Sequence, residues 1–264
     1  MYNFQRVILC AGHGGDDSGA VHLNFKEADQ TIYLVDKIAN FLKISGLTVD
    51  VVPHNLNLTD SINWINTRQR NNMEVLSVEI HRDSATGLNF DDASTRCGVY
   101  FETGNNKSRD FALNIQKGFL EKTSNKNCWA RPDNVASKGR LGWIQDITTF
   151  TSLLELGFMQ GKNTLEHLDW LAKITAEILF KTITGRDMSI NLSPFDQVKK
   201  ALNELGFIEG VKDKHGVDEF LRLQGLLINN DWQTFTKELA VRYLTRNEDG
   251  IKQTVVNELN IGVS

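Results

Sequence analysis

The sequence predicts an α/β protein: a mostly parallel, twisted sheet with helices on both faces, followed by a small all-helical C-terminal domain. Three observations carry that prediction. Short apolar runs alternate with stretches of helical period, glycines punctuate the exits from these elements, and past the layered domain's end near residue 184 only helical patterns follow.

The first run, Val7 to Ala11, leads straight into Gly12-His13-Gly14-Gly15, as a buried parallel strand does when the chain must turn tightly after it. Ile32, Val35, Ile38, Ala39 and Leu42 then recur at helical spacing from Ala28 to Leu42, and Gly46 stops that helix. Leu47 to Val52 reads as a second strand. Ser61 to Asn72 reads as a polar helix with Ile62, Ile65 and Arg68 on one face. A third strand spans Val75 to Ile80 and ends at His81. A fourth spans Gly98 to Glu102, and the helix after it carries Phe111, Ile115 and Phe119. Ser152 to Leu156 is a late buried strand, and Leu165 to Ile183 a long amphipathic helix with Leu168, Leu171, Ile174 and Ile178 inward.

Domain organisation follows from the same pattern. Residues 1–184 form the layered domain, 185–193 a turn-rich linker, and Pro194 opens the helical domain 194–264. Helices are expected there at Phe195–Leu205, Asp218–Ile228, Asp231–Leu244 and Gly250–Leu259. No internal repeat or low-complexity tract is present.

Composition narrows the function. A net charge of −4 over 264 residues offers no electrostatic reason to expect nucleic acid or anionic membrane as partner. No apolar stretch approaches the ~20 residues of a membrane-spanning helix. Val7 to Ala11 is too short for a secretory leader, so the chain is expected in the cytoplasm as synthesised, or secreted if a leader has been removed. Cys10, Cys97 and Cys128 contain no Cys-x-x-Cys pair, which argues against a cysteine metal site; pairing of Cys97 with Cys128 stays open.

Four residues fall at strand ends or just past them: His13, Glu27, His81 and Glu155. In open α/β sheets the ligand crevice lies at the carboxyl ends of the strands, so one crevice can collect all four. Two histidines and a carboxylate are a known catalytic zinc set that leaves a position for water. A further carboxylate can move the proton from water to a leaving amine. Each member alone has a bland reading. Gly-His-Gly-Gly is a tight turn, Glu27 a first-turn helix residue, and His81 a core histidine. Glu155, inside Leu153-Leu154-Glu155-Leu156, is costly to bury without a partner.

The run Ile8 to Ala20, with Gly12-His13-Gly14-Gly15-Asp16-Asp17-Ser18-Gly19-Ala20 followed by Glu27, resembles the opening motif of the type 3 class of N-acetylmuramoyl-L-alanine amidases. Ser77-Val78-Glu79-Ile80-His81 is similar to that family's Ser-Ile-His motif, and Leu154-Glu155-Leu156-Gly157-Phe158 to its closing Glu-x-Gly-Phe. Arg68 or Arg70 falls where the family has an arginine on the preceding helix. The resemblance covers residues 5 to 184. It implies a fold like that of zinc-dependent exopeptidases, zinc held by His13, Glu27 and His81, and Glu155 as catalytic acid/base. The implied reaction cuts the amide joining N-acetylmuramic acid to L-alanine, with peptidoglycan as partner.

The chain departs from the family at Arg82 and Asp83, which stand where a small residue and asparagine are usual, and it lacks a proline near Asp16-Asp17. Arg82 and Asp83 are expected on the cleft rim as substrate contacts. Arg140 is a further candidate for a substrate carboxylate or carbonyl, with a surface ion pair as the alternative. Asp17 either orients a ligating histidine or caps a turn. His22 is the rival ligand, while His54, His167 and His215 are expected at the surface. The C-terminal stripes, Phe195-Val198-Leu202-Leu205 and Trp232-Phe235-Leu239, suit wall binding, or else homo-oligomerisation or packing against the catalytic domain. A phage endolysin, acting on the wall after release, fits a chain without a leader. The rival functions are a zinc peptidase on a related fold and a non-catalytic wall-binding protein.

Overall fold

The computed structural model describes residues 2–188 apart from 3, 86 and 138. The chain divides into units 1–191 and 192–264. The helices expected within 194–264, and His215, lie outside the described residues.

Eight strands and six α-helices are described: β1 Arg6–Ala11, β2 Val21–His22, β3 Phe25–Lys26, α1 Glu27–Ile44, β4 Val49–Val51, α2 Leu58–Gln69, β5 Val75–Asp83 and α3 Phe90–Thr95, then β6 Cys97–Phe101, α4 Asn106–Thr123, β7 Trp129–Pro132, α5 Gly142–Asp146, β8 Phe150–Phe158 and α6 Leu165–Thr184. Six strands form one sheet in the order β4-β1-β5-β8-β6-β7, and β2 pairs with β3 in a small hairpin. Every pairing in the large sheet is parallel except β6 against β8. The mostly parallel sheet is as the sequence leads one to expect.

Alternation along the strands sorts side chains onto two faces. Val7, Leu9, Leu76, Val78, Ile80, Leu154 and Leu156 join the larger core, which α1, α4 and α6 close with residues such as Leu34, Ile38, Phe111, Phe119, Leu171 and Leu179. Ile8, Cys10 and Leu153 face the other way and meet Ile65 of α2 and Trp143 and Ile144 of α5. Trp143 is fully buried, and its indole N–H donates to the Ser152 carbonyl at 3.1 Å, which satisfies its one polar group.

Differences from expectation lie mainly in short elements. The hairpin Val21–Lys26, α3, β7 and α5 lack the length or period that marks an element in sequence. α2 begins three residues earlier than its apolar period suggests, because Asn57 caps it by accepting from the Asp60 N–H at 2.9 Å. β5 and β8 run past the apolar stretch through His81 and Glu155, since backbone pairing does not require apolar side chains.

His167 corrects the surface placement expected for it. It is buried on α6, its Nε2 2.9 Å from the Ser94 carbonyl and its ring stacked on Trp170. His54 is half-buried beside Asp36 at 3.1 Å. Cys10, Cys97 and Cys128 are free thiols. No described helix is long and apolar enough to cross a membrane.

Candidate metal centre

Parallel pairing puts the ends of β1, β5 and β8 side by side. Ala11 pairs with Ile80, and Gly12 continues beside β5, its N–H donating to the Ile80 carbonyl at 2.8 Å. Across the next two ladders His81 pairs with Glu155, and Glu155 with Gly98. His81 and Glu155 are thus neighbours on adjacent strands, on the face that α2 and α5 cover.

Glycine makes the room. A Cβ on Gly12 would lie 2.1 Å from His81 Cε1, so the ring occupies the space a side chain there would fill. Gly19, at φ +61°, would set a Cβ 2.5 Å from the His13 ring and 2.9 Å from Glu27 Cβ. Only glycine suits that conformation and that approach.

Glu27 opens α1 and is almost fully buried. Its carboxylate accepts from the Ala20 N–H and the Arg82 N–H, each at 3.0 Å. His81 Nδ1 lies 3.0 Å from Glu27 Oε1, and His13 Nε2 lies 3.4 Å from Oε2. Burial pushes the Glu27 carboxyl up, but the His81 hydrogen bond and charge and the Ala20 N–H outweigh it and hold the group below its ordinary range. One ligand atom from each of His13, Glu27 and His81 falls within 4.8 Å of the others. That group does not include His22, which sits in β2.

The donor set tests whether a metal suits the site. Two imidazoles and one carboxylate, with glycine clearing the space around both rings, match the His₂Glu chemistry of open zinc sites. Each imidazole also has its second nitrogen near another carboxylate: His13 Nδ1 is 2.8 Å from Asp17 Oδ2, and His81 Nε2 is 3.3 Å from Glu79 Oε2. Such pairing fixes which ring nitrogen faces a metal. The residues present fit a divalent cation.

Glu155 has a different environment. Its Oε2 is shut off from solvent and has no hydrogen-bond partner. Burial pushes its carboxyl up from 4.5 to about 8; the His81 charge opposes this, and Asp83, Glu27 and Glu79 reinforce it. A carboxyl poised near neutrality can both take and return a proton.

The other candidates divide. Asp83 is half-buried, and burial raises its carboxyl while the Ser84 N–H, donating at 2.6 Å, opposes this. Arg82 is not on a cleft rim: its side chain is wholly buried on the α1 face. Its five N–H donors meet the Leu156, Phe158 and Lys162 carbonyls and the side-chain oxygens of Gln30 and Asn163 at 2.6–3.2 Å. No donor is left for substrate, and alternation explains the correction, because Arg82 follows Ile80 onto the core face. Arg140 is exposed and bidentate on Asp146, the surface ion pair named as its alternative. Arg68 is exposed and lies over Trp64, 4.3 Å from the ring centroid. Glu79 is the residue that sequence reading passed over. The signal was present, since Glu79 stands at the serine position of the Ser-Ile-His motif.

A family model described as N-acetylmuramoyl-L-alanine amidase matches residues 7–180. No curated protein sequence matches the chain. Among solved structures, the catalytic domain of CwlV, an N-acetylmuramoyl-L-alanine amidase from Bacillus (Paenibacillus) polymyxa var. colistinus, aligns over 69% of this chain and 100% of its own, at 22% identity and TM-score 0.56. The amidase AmiC2 of Nostoc punctiforme aligns over 69% and 98%, at 19% identity and TM-score 0.55. The catalytic domain of CD27L, an endolysin targeting Clostridia difficile, aligns over 70% and 99%, at 18% identity and TM-score 0.54. These likenesses establish a shared fold.

Proposed function

The chain belongs to the N-acetylmuramoyl-L-alanine amidase family, and from that premise we propose that His13, Glu27 and His81 hold a catalytic zinc ion beside Glu155. The protein is a peptidoglycan amidase: it hydrolyses the amide between N-acetylmuramic acid and the L-alanine of the stem peptide. The observation that carries the proposal is the convergence of two imidazoles on one buried carboxylate, with the unpartnered Oε2 of Glu155 on the neighbouring strand.

Zinc, when bound, supplies Lewis acidity toward the scissile carbonyl and makes water a better acid. Glu155 takes the proton from water as it attacks and delivers it to the departing amine of L-alanine. Glu27, held ionised against its burial by the His81 hydrogen bond and charge and by the Ala20 N–H, provides the anionic ligand. Asp83, two residues past His81 at the end of β5, is the proposed substrate contact.

The test separates the metal from the proton carrier. Glu155→Gln protein is expected to bind zinc as wild type does and to lose lytic activity on purified walls; substantial residual lysis would remove Glu155 from the role. We further propose an endolysin's setting for the enzyme, cytoplasmic until the membrane opens, which the likeness to an endolysin catalytic domain supports. Expressed in a susceptible host, the chain is expected to lyse cells only once the membrane is permeabilised. Spontaneous appearance in the medium would count against that setting.

A further inference from the structure

Glu79 lies one step before His81 on the same face of β5 and is buried, 3% exposed. Its register neighbours are Cys10 on β1 and Leu153 on β8, both members of the apolar cluster that includes Ile8, Trp143 and Ile144. A carboxylate in such a place is costly unless something polar meets it. What meets it is the His81 ring, with Oε2 3.3 Å from Nε2.

The two histidines of the centre are built alike. His81 turns Nδ1 toward Glu27 and Nε2 toward Glu79. His13 turns Nε2 toward Glu27 and Nδ1 toward Asp17. Each ring thus presents one nitrogen to the shared ligand cluster and the other to a carboxylate outside it. The His81 ring lies over Gly12, so backbone rather than a side chain borders it on that side.

We propose that Glu79 is the positioning residue of His81, accepting the ring Nε2–H and so fixing Nδ1, with its lone pair free, as the metal-binding atom. This rests on the reading of His13, Glu27 and His81 as a metal centre. A carboxylate behind a ligating histidine fixes tautomer and ring orientation and makes the imidazole a stronger ligand. Removing such a partner weakens metal affinity by roughly 10–100-fold. Glu79 therefore acts through His81 and not on substrate.

The experiment compares wild type, Glu79→Ala, Glu79→Gln and His81→Ala in the full-length chain. Zinc affinity is read by chelator competition, the cobalt-substituted protein by its visible spectrum, and the His81 ring N–H by proton and nitrogen NMR of the zinc-loaded protein. Glu79→Ala is expected to bind zinc about 10–100-fold more weakly, to shift the cobalt spectrum and to lose the protected Nε2–H resonance. Glu79→Gln, which keeps an acceptor and loses the charge, is expected to fall between and to retain that resonance. Should Glu79→Ala fail to fold, Glu79→Gln decides through its affinity. Wild type and Glu79 variants with equal zinc affinity and identical cobalt spectra, while His81→Ala loses zinc, would overturn the role of Glu79 alone. Wild type that takes up no zinc would overturn the metal centre and this role together.

Discussion

Replacing Glu155 with glutamine should abolish catalysis and, in the metal-free protein, raise stability. The carboxyl is pushed from 4.5 to about 8 because folding encloses it beside an apolar core and near Asp83, Glu27 and Glu79. Below pH 4.5 it is protonated whether the chain is folded or not, so wild type and variant should match. Between 4.5 and about 8 the unfolded chain releases the proton while the folded chain keeps it, so wild-type stability falls as pH rises. Each pH unit in that window costs about 1.4 kcal/mol, which gives a ceiling of about 3 kcal/mol at pH 7. The side chain keeps some solvent access, so about half that figure is the working expectation. Urea unfolding of chelator-treated wild type and Glu155→Gln across pH 4.5 to 8.5 measures it. The variant's advantage over wild type should grow steadily with pH and level off above about pH 8. A difference that is flat with pH, or one that favours wild type at pH 8, would refute the reasoning.

The remaining predictions concern the cluster and its support. His13→Ala and Glu27→Ala should each abolish equimolar zinc binding, measured by metal analysis after gel filtration, because each removes one of three protein ligands. Gly12→Ala should displace the His81 ring, since its Cβ would sit 2.1 Å from Cε1; zinc affinity should fall at least about tenfold with little change in far-ultraviolet circular dichroism. Arg82→Met should destabilise the fold by about 3 kcal/mol in urea unfolding, because it removes five hydrogen bonds from a buried site; of their acceptors, Asn163 Oδ1 keeps the Gln30 donor and the Phe158 carbonyl keeps the Gly161 N–H. Arg82→Lys should recover only part of that loss, as an ammonium cannot reproduce the planar fork.

The sheet and its long helices were legible because their apolar residues repeat with periods of two or 3.6, which follow from side-chain direction on strands and helices. The centre was legible because metal chemistry limits which residue types serve, and His13, Glu27, His81 and Glu155 stood at strand exits. Short elements were not. The hairpin Val21–Lys26 has strands of two residues each, too short to show a period, and β7 is held by its parallel ladder to β6, a neighbour that local sequence does not encode. Arg82 was misplaced because its charge suggested a surface, whereas β5 continues past His81 and alternation turns Arg82 into the core. His167 was misplaced because it has no partner at suggestive spacing, whereas the fold brings to it the Ser94 carbonyl from 73 residues away. Glu79 was overlooked because a motif names its own residues, and the carboxylate's effect depends on the strand geometry that stacks it beneath His81.

Mass spectrometry of purified peptidoglycan, digested with the zinc-loaded protein, tests the central claim most directly. Stem peptides are expected to be released at full length, each carrying a new L-alanine amino terminus, with the glycan strands left intact. Shortened stem peptides, or glycan fragments in place of free peptides, would contradict the assignment of this centre to the bond between N-acetylmuramic acid and L-alanine.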